Sequence, residues 1–185
     1  MHRVFRRAVL LTICLALALP LAAQEREGVM GDLLRDLADV EKKIMGLASA
    51  MPDAAYAWRP AKRVRSTGET FMHVAADNYF LPAAMGLSAP AETGVKGNDF
   101  KTAVAFEKRP MSRDQTIAEL EKSFAFLKSS MIGMPDTALS APLDVFGRKT
   151  TNRGLWISTV THLHEHLGQL IAYARSNNVT PPWSK

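Results

Sequence analysis

One cysteine, Cys14, is present in the 185 residues. The sequence has neither a glycine-rich phosphate loop nor a Gly-x-Ser-x-Gly elbow. No apolar stretch is long enough to cross a bilayer comfortably: Ala8 to Leu19 falls short of the ~20 predominantly apolar residues a spanning helix needs. These absences exclude a disulfide scaffold, a nucleotide-phosphate cradle and an acyl-serine hydrolase. No repeat with a period of 20 to 50 residues is present either, which excludes a solenoid.

The first two dozen residues differ from the rest. Arg3, Arg6 and Arg7 precede the apolar stretch, Pro20 follows it, and the small residues Ala22 and Ala23 come just before Gln24 and Glu25. This is the layout of a secretory signal peptide over residues 1–24, with an uncleaved N-terminal anchor as the alternative. Cleavage removes Cys14 and leaves no thiol, so stability must come from core packing or a bound metal. It also removes three of the 23 basic residues and none of the 18 acids, so the formal charge falls from +5 to +2. The cluster Arg59, Lys62, Arg63 and Arg65 is short and sits beside Pro60, so it reads as a solvated loop; a nucleic-acid binder would concentrate basic residues on one face.

What remains reads as one helical domain over residues 25–185. Met30, Leu33, Leu37, Val40, Ile44 and Leu47 recur at steps of three and four, which predicts an amphipathic helix from Gly28 to about Met51. Pro52 and Trp58-Arg59-Pro60 break it. Ser66-Thr67-Gly68-Glu69 has the form of a capping box and starts a second helix, which Pro82 kinks or ends. Gly86 to Pro110 forms a long connection with room for a short helix. Ser112 and Gln115 repeat the capping box ahead of Ile117, Leu120, Phe124, Leu127 and Met131. A small extended segment is expected over Leu143 to Lys149. The last helix runs from about Asn152 to Ser176, with Trp156, Val160, Leu163, Leu167, Leu170 and Ala174 as its seam. The expected fold is all-α, an antiparallel four-helix bundle with one long crossover.

His2 leaves with the leader, and four histidines remain: His73 on the second helix, and His162, His164 and His166 on the last. At about 100° per residue, His162 and His166 lie about 40° apart and one turn along, so both imidazoles can reach one ion, while His164 points away. The pair sits on a flank with Leu155, Thr159, Gln169 and Tyr173, and His73 is the remaining histidine that could complete a triad on a facing helix. Three neutral imidazoles suit zinc, nickel, copper or iron and leave positions open. The plainer alternative is a hydrogen-bonded surface pair beside a half-buried His73. The H-x-x-E-H pattern formed by residues 162–166 is set aside, because residues 167–185 contain no acid to supply a further ligand.

Trp58-Arg59-Pro60, Arg65-Ser66, Gly68-Glu69 and His73 together resemble the opening of a DinB-family domain. His162-x-x-x-His166-Leu167-Gly168-Gln169, Tyr173-Ala174-Arg175 and Pro181-Pro182-Trp183 are similar to its last helix and tail. The resemblance implies a four-helix bundle with a long crossover, and a divalent metal, often zinc or nickel, held by His73, His162 and His166. It also implies that Gly168 lets a neighbouring helix approach, and that Gln169 orders a ligand or bound water. Some members resemble thiol-dependent transferases or isomerases; an exported chain departs from that pattern, because small thiols are mainly cytosolic.

Two functions follow as expectations. One is a metal-dependent enzyme of the cell envelope, hydrolase- or transferase-like, with Asp77 as the general base and Tyr79 and Tyr173 as weaker candidates. The other is a non-catalytic, metal-stapled structural or binding module. The expected partner is a small-molecule substrate, with no nucleic acid and no membrane once the leader is removed; a homodimer is compatible. The expected location is periplasmic or extracellular.

Overall fold

The computed structural model describes residues 26–184; the proposed leader, its cleavage site and Cys14 lie outside the described residues. Four long helices carry the fold: α1 (Gly28–Ala50), α3 (Thr67–Ala84), α5 (Arg113–Gly133) and α6 (Asn152–Ser176). A single turn, α2 (Asp53–Tyr56), follows α1, and α4 (Phe100–Glu107) lies within the long crossover. Two short strands, β1 (Pro142–Val145) and β2 (Arg148–Thr151), pair antiparallel just before α6.

The boundaries follow local chemistry. Both capping boxes form: Ser66 Oγ accepts from the Glu69 amide at 3.2 Å while Glu69 Oε2 accepts from the Ser66 amide at 2.7 Å, and Ser112 with Gln115 repeats the exchange. Thr151 caps α6 by accepting from the Gly154 amide. Pro82 does not end α3 at its own position; the helix continues to Ala84 before turning at Gly86, which adopts a φ of 88°.

α1 packs on α5 and α6, and α3 packs on the same two helices. Arg113, at the start of α5, donates to the carbonyls of Ser49 and Met51 at the end of α1, so these two helices run in opposite directions. Tyr173, near the end of α6, donates to the carbonyl of Arg65 at the start of α3, so that pair is antiparallel too. The crossover from residue 85 to residue 112 returns the chain so that α5 runs beside α3, and on the way α4 packs on α3. This is the expected antiparallel four-helix bundle with a long crossover.

The expected seams form the core. Leu37, Val40, Ile44 and Leu47 from α1, Leu120, Phe124, Leu127 and Met131 from α5, and Trp156, Val160, Leu163 and Leu170 from α6 are all buried. α3 is buried nearly all round from Thr70 to Phe80, because α4, α5 and α6 all pack against it. Among the described residues, no helix is long and apolar enough to cross a membrane.

Candidate metal centre

Residues four apart on a helix share a face, and here two such pairs meet. α3 presents His73 and Asp77, α6 presents His162 and His166, and the opposite directions of the helices bring the pairs together. Asp77 Oδ2 lies 2.9 Å from His162 Nε2 and 3.2 Å from His73 Nε2, and the His162 and His166 Nε2 atoms are 3.0 Å apart. One donor atom from each of the four residues lies within 4.8 Å of the others, so the cluster could hold a divalent metal ion. His73 and Asp77 are 7% and 8% exposed, so the centre is recessed between the helices.

The outer ring nitrogens show which way the imidazoles are protonated. His73 Nδ1 lies 2.7 Å from Glu107 Oε2, and Arg65 binds the same carboxylate at 3.1 and 3.2 Å. An ionised carboxylate only accepts, so Nδ1 carries the hydrogen. His162 faces a carboxylate at each nitrogen, Glu165 Oε2 3.3 Å from Nδ1 and Asp77 Oδ2 2.9 Å from Nε2, so either nitrogen can donate. His166 Nδ1 faces Gln169 Oε1 at 3.0 Å, and a chain of bonds sets the orientation of that amide. Tyr173 donates to the Arg65 carbonyl and accepts from Gln169 Nε2 at 2.7 Å, which turns Gln169 Oε1 toward the histidine. In their neutral forms His73 and His166 therefore direct an Nε2 lone pair inward, and His162 does so when its hydrogen sits on Nδ1. Three imidazole nitrogens and a carboxylate oxygen that meet in this way could share a cation, and fixing the outer nitrogen is how proteins orient metal-binding histidines.

The electrostatics agree with this arrangement. The hydrogen bond to Asp77 raises the pKa of His162 above its ordinary value against the opposing effect of burial, so in the absence of metal a proton can take the cation's place there. Burial lowers that of His166 to about 4, with the neighbouring His162 and His73 rings adding to the effect, so this ring stays neutral. Burial works against ionisation of Glu107, but hydrogen bonds from His73 and Arg65 outweigh it and hold the carboxyl below the ordinary range.

His73, His162 and His166, the three residues expected from the sequence, come together, and Asp77 joins them. Its carboxylate reaches the centre itself, whereas Glu107 from α4 is the acid that orients His73 from behind. Glu107 was missed, and no motif marks it: it ends a short helix in the crossover and meets His73 only through the packing of α4 on α3. Arg59, Lys62 and Arg63 are exposed in a loop, as expected, and from that loop Arg59 pairs with Glu69 and Arg65 with Glu107. His164 points to the other side, where its Nε2 lies 2.9 Å from Asp36 of α1. Glu165 is exposed but bonded to His162. Tyr79 lies away from the centre and donates to Glu119, and Tyr173 acts through Gln169. The expectation for Gly168 fails: a methyl group there would meet nothing within 4 Å, so no neighbouring helix uses the space.

A cavity of about 450 Å³ opens beside the cluster. His73, Asp77, His162 and Glu165 form one side of it, Phe80, Phe100 and Leu155 supply apolar walls, and the β1–β2 hairpin closes over it with Val145, Phe146 and Arg148.

The fold and the cluster define a class: helical-bundle proteins whose histidine and carboxylate side chains can hold a divalent metal. Within that class the chain belongs to the DinB superfamily, whose family model matches residues 36–170. Solved structures share the fold. A DinB-like protein from Bacillus cereus superposes with a TM-score of 0.68 at 17% identity, covering 83% of this chain and 95% of that one. A DinB-like protein from Bacillus subtilis gives 0.63 at 17% identity, covering 80% and 93%, and a conserved protein from Enterococcus faecalis gives 0.67 at 18%, covering 81% and 97%. No curated protein matches the chain.

Proposed function

We propose that the protein is a metal-dependent enzyme of the cell envelope, hydrolase- or transferase-like, acting on a small molecule in the cavity beside the four-residue cluster. The observation that carries this reading is the inward convergence of three imidazole Nε2 atoms and one carboxylate oxygen, each imidazole with an acceptor at its outer nitrogen. His73, His162 and His166 would hold the ion, for which zinc or nickel suits the donor set. When bound, such an ion supplies Lewis acidity and lowers the pKa of bound water.

The chain's own residues do the rest. Glu107 and Gln169 hold the outer nitrogens of His73 and His166 and so aim their Nε2 atoms inward. Asp77 would be the proton acceptor: its carboxylate is buried and lines the cavity, where a bound molecule could give it a proton. Export rests on the leader sequence of residues 1–24, and mass analysis of the protein recovered from its native cell envelope, expected to lack those residues, tests it.

A second reading, a metal-stapled module without catalysis, has one observation in its favour: Asp77 brings the donors to four, the number a structural zinc takes. The experiment is elemental analysis of the purified protein beside His73→Ala, His162→Ala, His166→Ala and Asp77→Asn. About one ion per chain is expected in the parent, with a large loss in each histidine variant. Asp77→Asn should keep its metal if the carboxylate is the base and lose it if the carboxylate is a ligand. Metal content unchanged in all the histidine variants refutes the site.

A further inference from the structure

The hairpin over the cavity carries side chains that metal binding does not use. Its turn is Phe146-Gly147, with φ of 55° and 74°, the left-handed pair of a type I′ turn for which Asn-Gly is the ordinary choice. A bulky aromatic residue at positive φ is a backbone outlier, and such strain persists where the surrounding structure holds it and function uses it. Here it places a ring. Phe146 stacks on Phe80 at 5.7 Å and meets Phe100 edge-on at 5.1 Å, yet Phe146 remains 68% exposed and Phe100 40%. Three rings therefore line the cavity entrance, and the outer two still offer apolar surface.

Beside them stands a cation. Side chains alternate along a strand, so Arg148, its cross-strand partner Val145, and Thr150 share the face that lines the cavity. The acids that line the same space are engaged: Asp77 with His73 and His162, and Glu165 with His162. No described residue forms an ion pair or side-chain hydrogen bond with Arg148. Arg148 is thus the charged side chain lining this space that is left without a described partner.

We infer that the cavity takes an amphipathic organic anion: an apolar or aromatic body against the Phe80, Phe100 and Phe146 rings, and an anionic group on Arg148. This places the reacting part of the molecule beside Asp77. The inference rests on the metal-dependent reading for what happens to the ligand, but the binding preference itself needs only the hairpin and the cavity.

The test measures binding of 4-phenylbutyrate and of its uncharged amide by calorimetry, with metal-loaded and metal-stripped protein. The parent should bind the carboxylate about tenfold more tightly than the amide in both forms, as expected for a charge-assisted pair. Arg148→Gln should reduce that ratio to about one while metal content and helical circular dichroism stay unchanged, and Arg148→Lys should restore part of it. Phe146→Ala should weaken both probes alike. A ratio that survives Arg148→Gln, or that disappears on metal removal because the carboxylate sits on the ion, overturns the inference, as does the absence of saturable binding of either probe. A parent with no metal but an Arg148-dependent ratio would sink the enzyme reading and leave this one standing.

Discussion

Glu107→Gln separates a metal centre from a fortuitous histidine cluster. The carboxylate lies 2.7 Å from His73 Nδ1 and accepts from Arg65 at 3.1 and 3.2 Å, with its side chain only 13% exposed. Removing its charge weakens the hold on the neutral His73 tautomer with its lone pair inward, and leaves Arg65 without its counter-charge. Two independent arguments give the size of the effect. A hydrogen bond to a charged group contributes about 1.5–3 kcal/mol, and loss of an outer partner of a metal-binding histidine typically costs about 10–100-fold in affinity. At 1.4 kcal/mol per factor of ten, the second figure corresponds to roughly 1.4–2.8 kcal/mol, so the two agree. Competition with a chromophoric zinc chelator would read the change directly, with thermal unfolding of the metal-free variant as the control for folding. Zinc affinity unchanged within a factor of two, in a variant that folds like the parent, would refute the role given to Glu107 and weaken the case that His73 is a ligand.

Other outcomes follow from the same geometry. Metal loading should weaken as pH falls, because protons compete for imidazoles; His162, whose pKa is raised by Asp77, should contribute about one decade of apparent affinity per pH unit below its pKa, while His166, with a pKa near 4, adds nothing until stronger acid. A pH-independent affinity between pH 5 and 7 in a chelator titration would contradict this. Saturating zinc at about one hundred times its Kd should add about 2.7 kcal/mol of stability, a rise in Tm of roughly 5–10 °C for a domain of this size, and a chelator should reverse it; calorimetry with no such shift would argue against binding to the native state. Trp156→Ala should cost about 3–5 kcal/mol in denaturant unfolding, since the side chain is fully buried and its cavity cannot collapse easily. Ser66→Ala should cost about 1 kcal/mol by removing the acceptor for the Glu69 amide at the start of α3; a change within error would mean that the cap is idle.

Local chemistry determined much of this protein. Helix ends follow from capping serines and breakers, and burial follows from residues three and four apart, because both depend only on neighbours along one helix. The His162–His166 spacing is local in the same way, and so is the opposite direction of His164. Tertiary structure decided what no short-range rule reaches. Glu107 stands behind His73 because the crossover happens to lay α4 on α3, and Asp77 enters the cluster because α3 and α6 run in opposite directions at the right offset. Arg148 and Phe146 acquire meaning only when the hairpin folds over the cavity. A sequence states which side chains share a face of one element; which faces meet depends on how the elements pack, and that is set by the whole core at once.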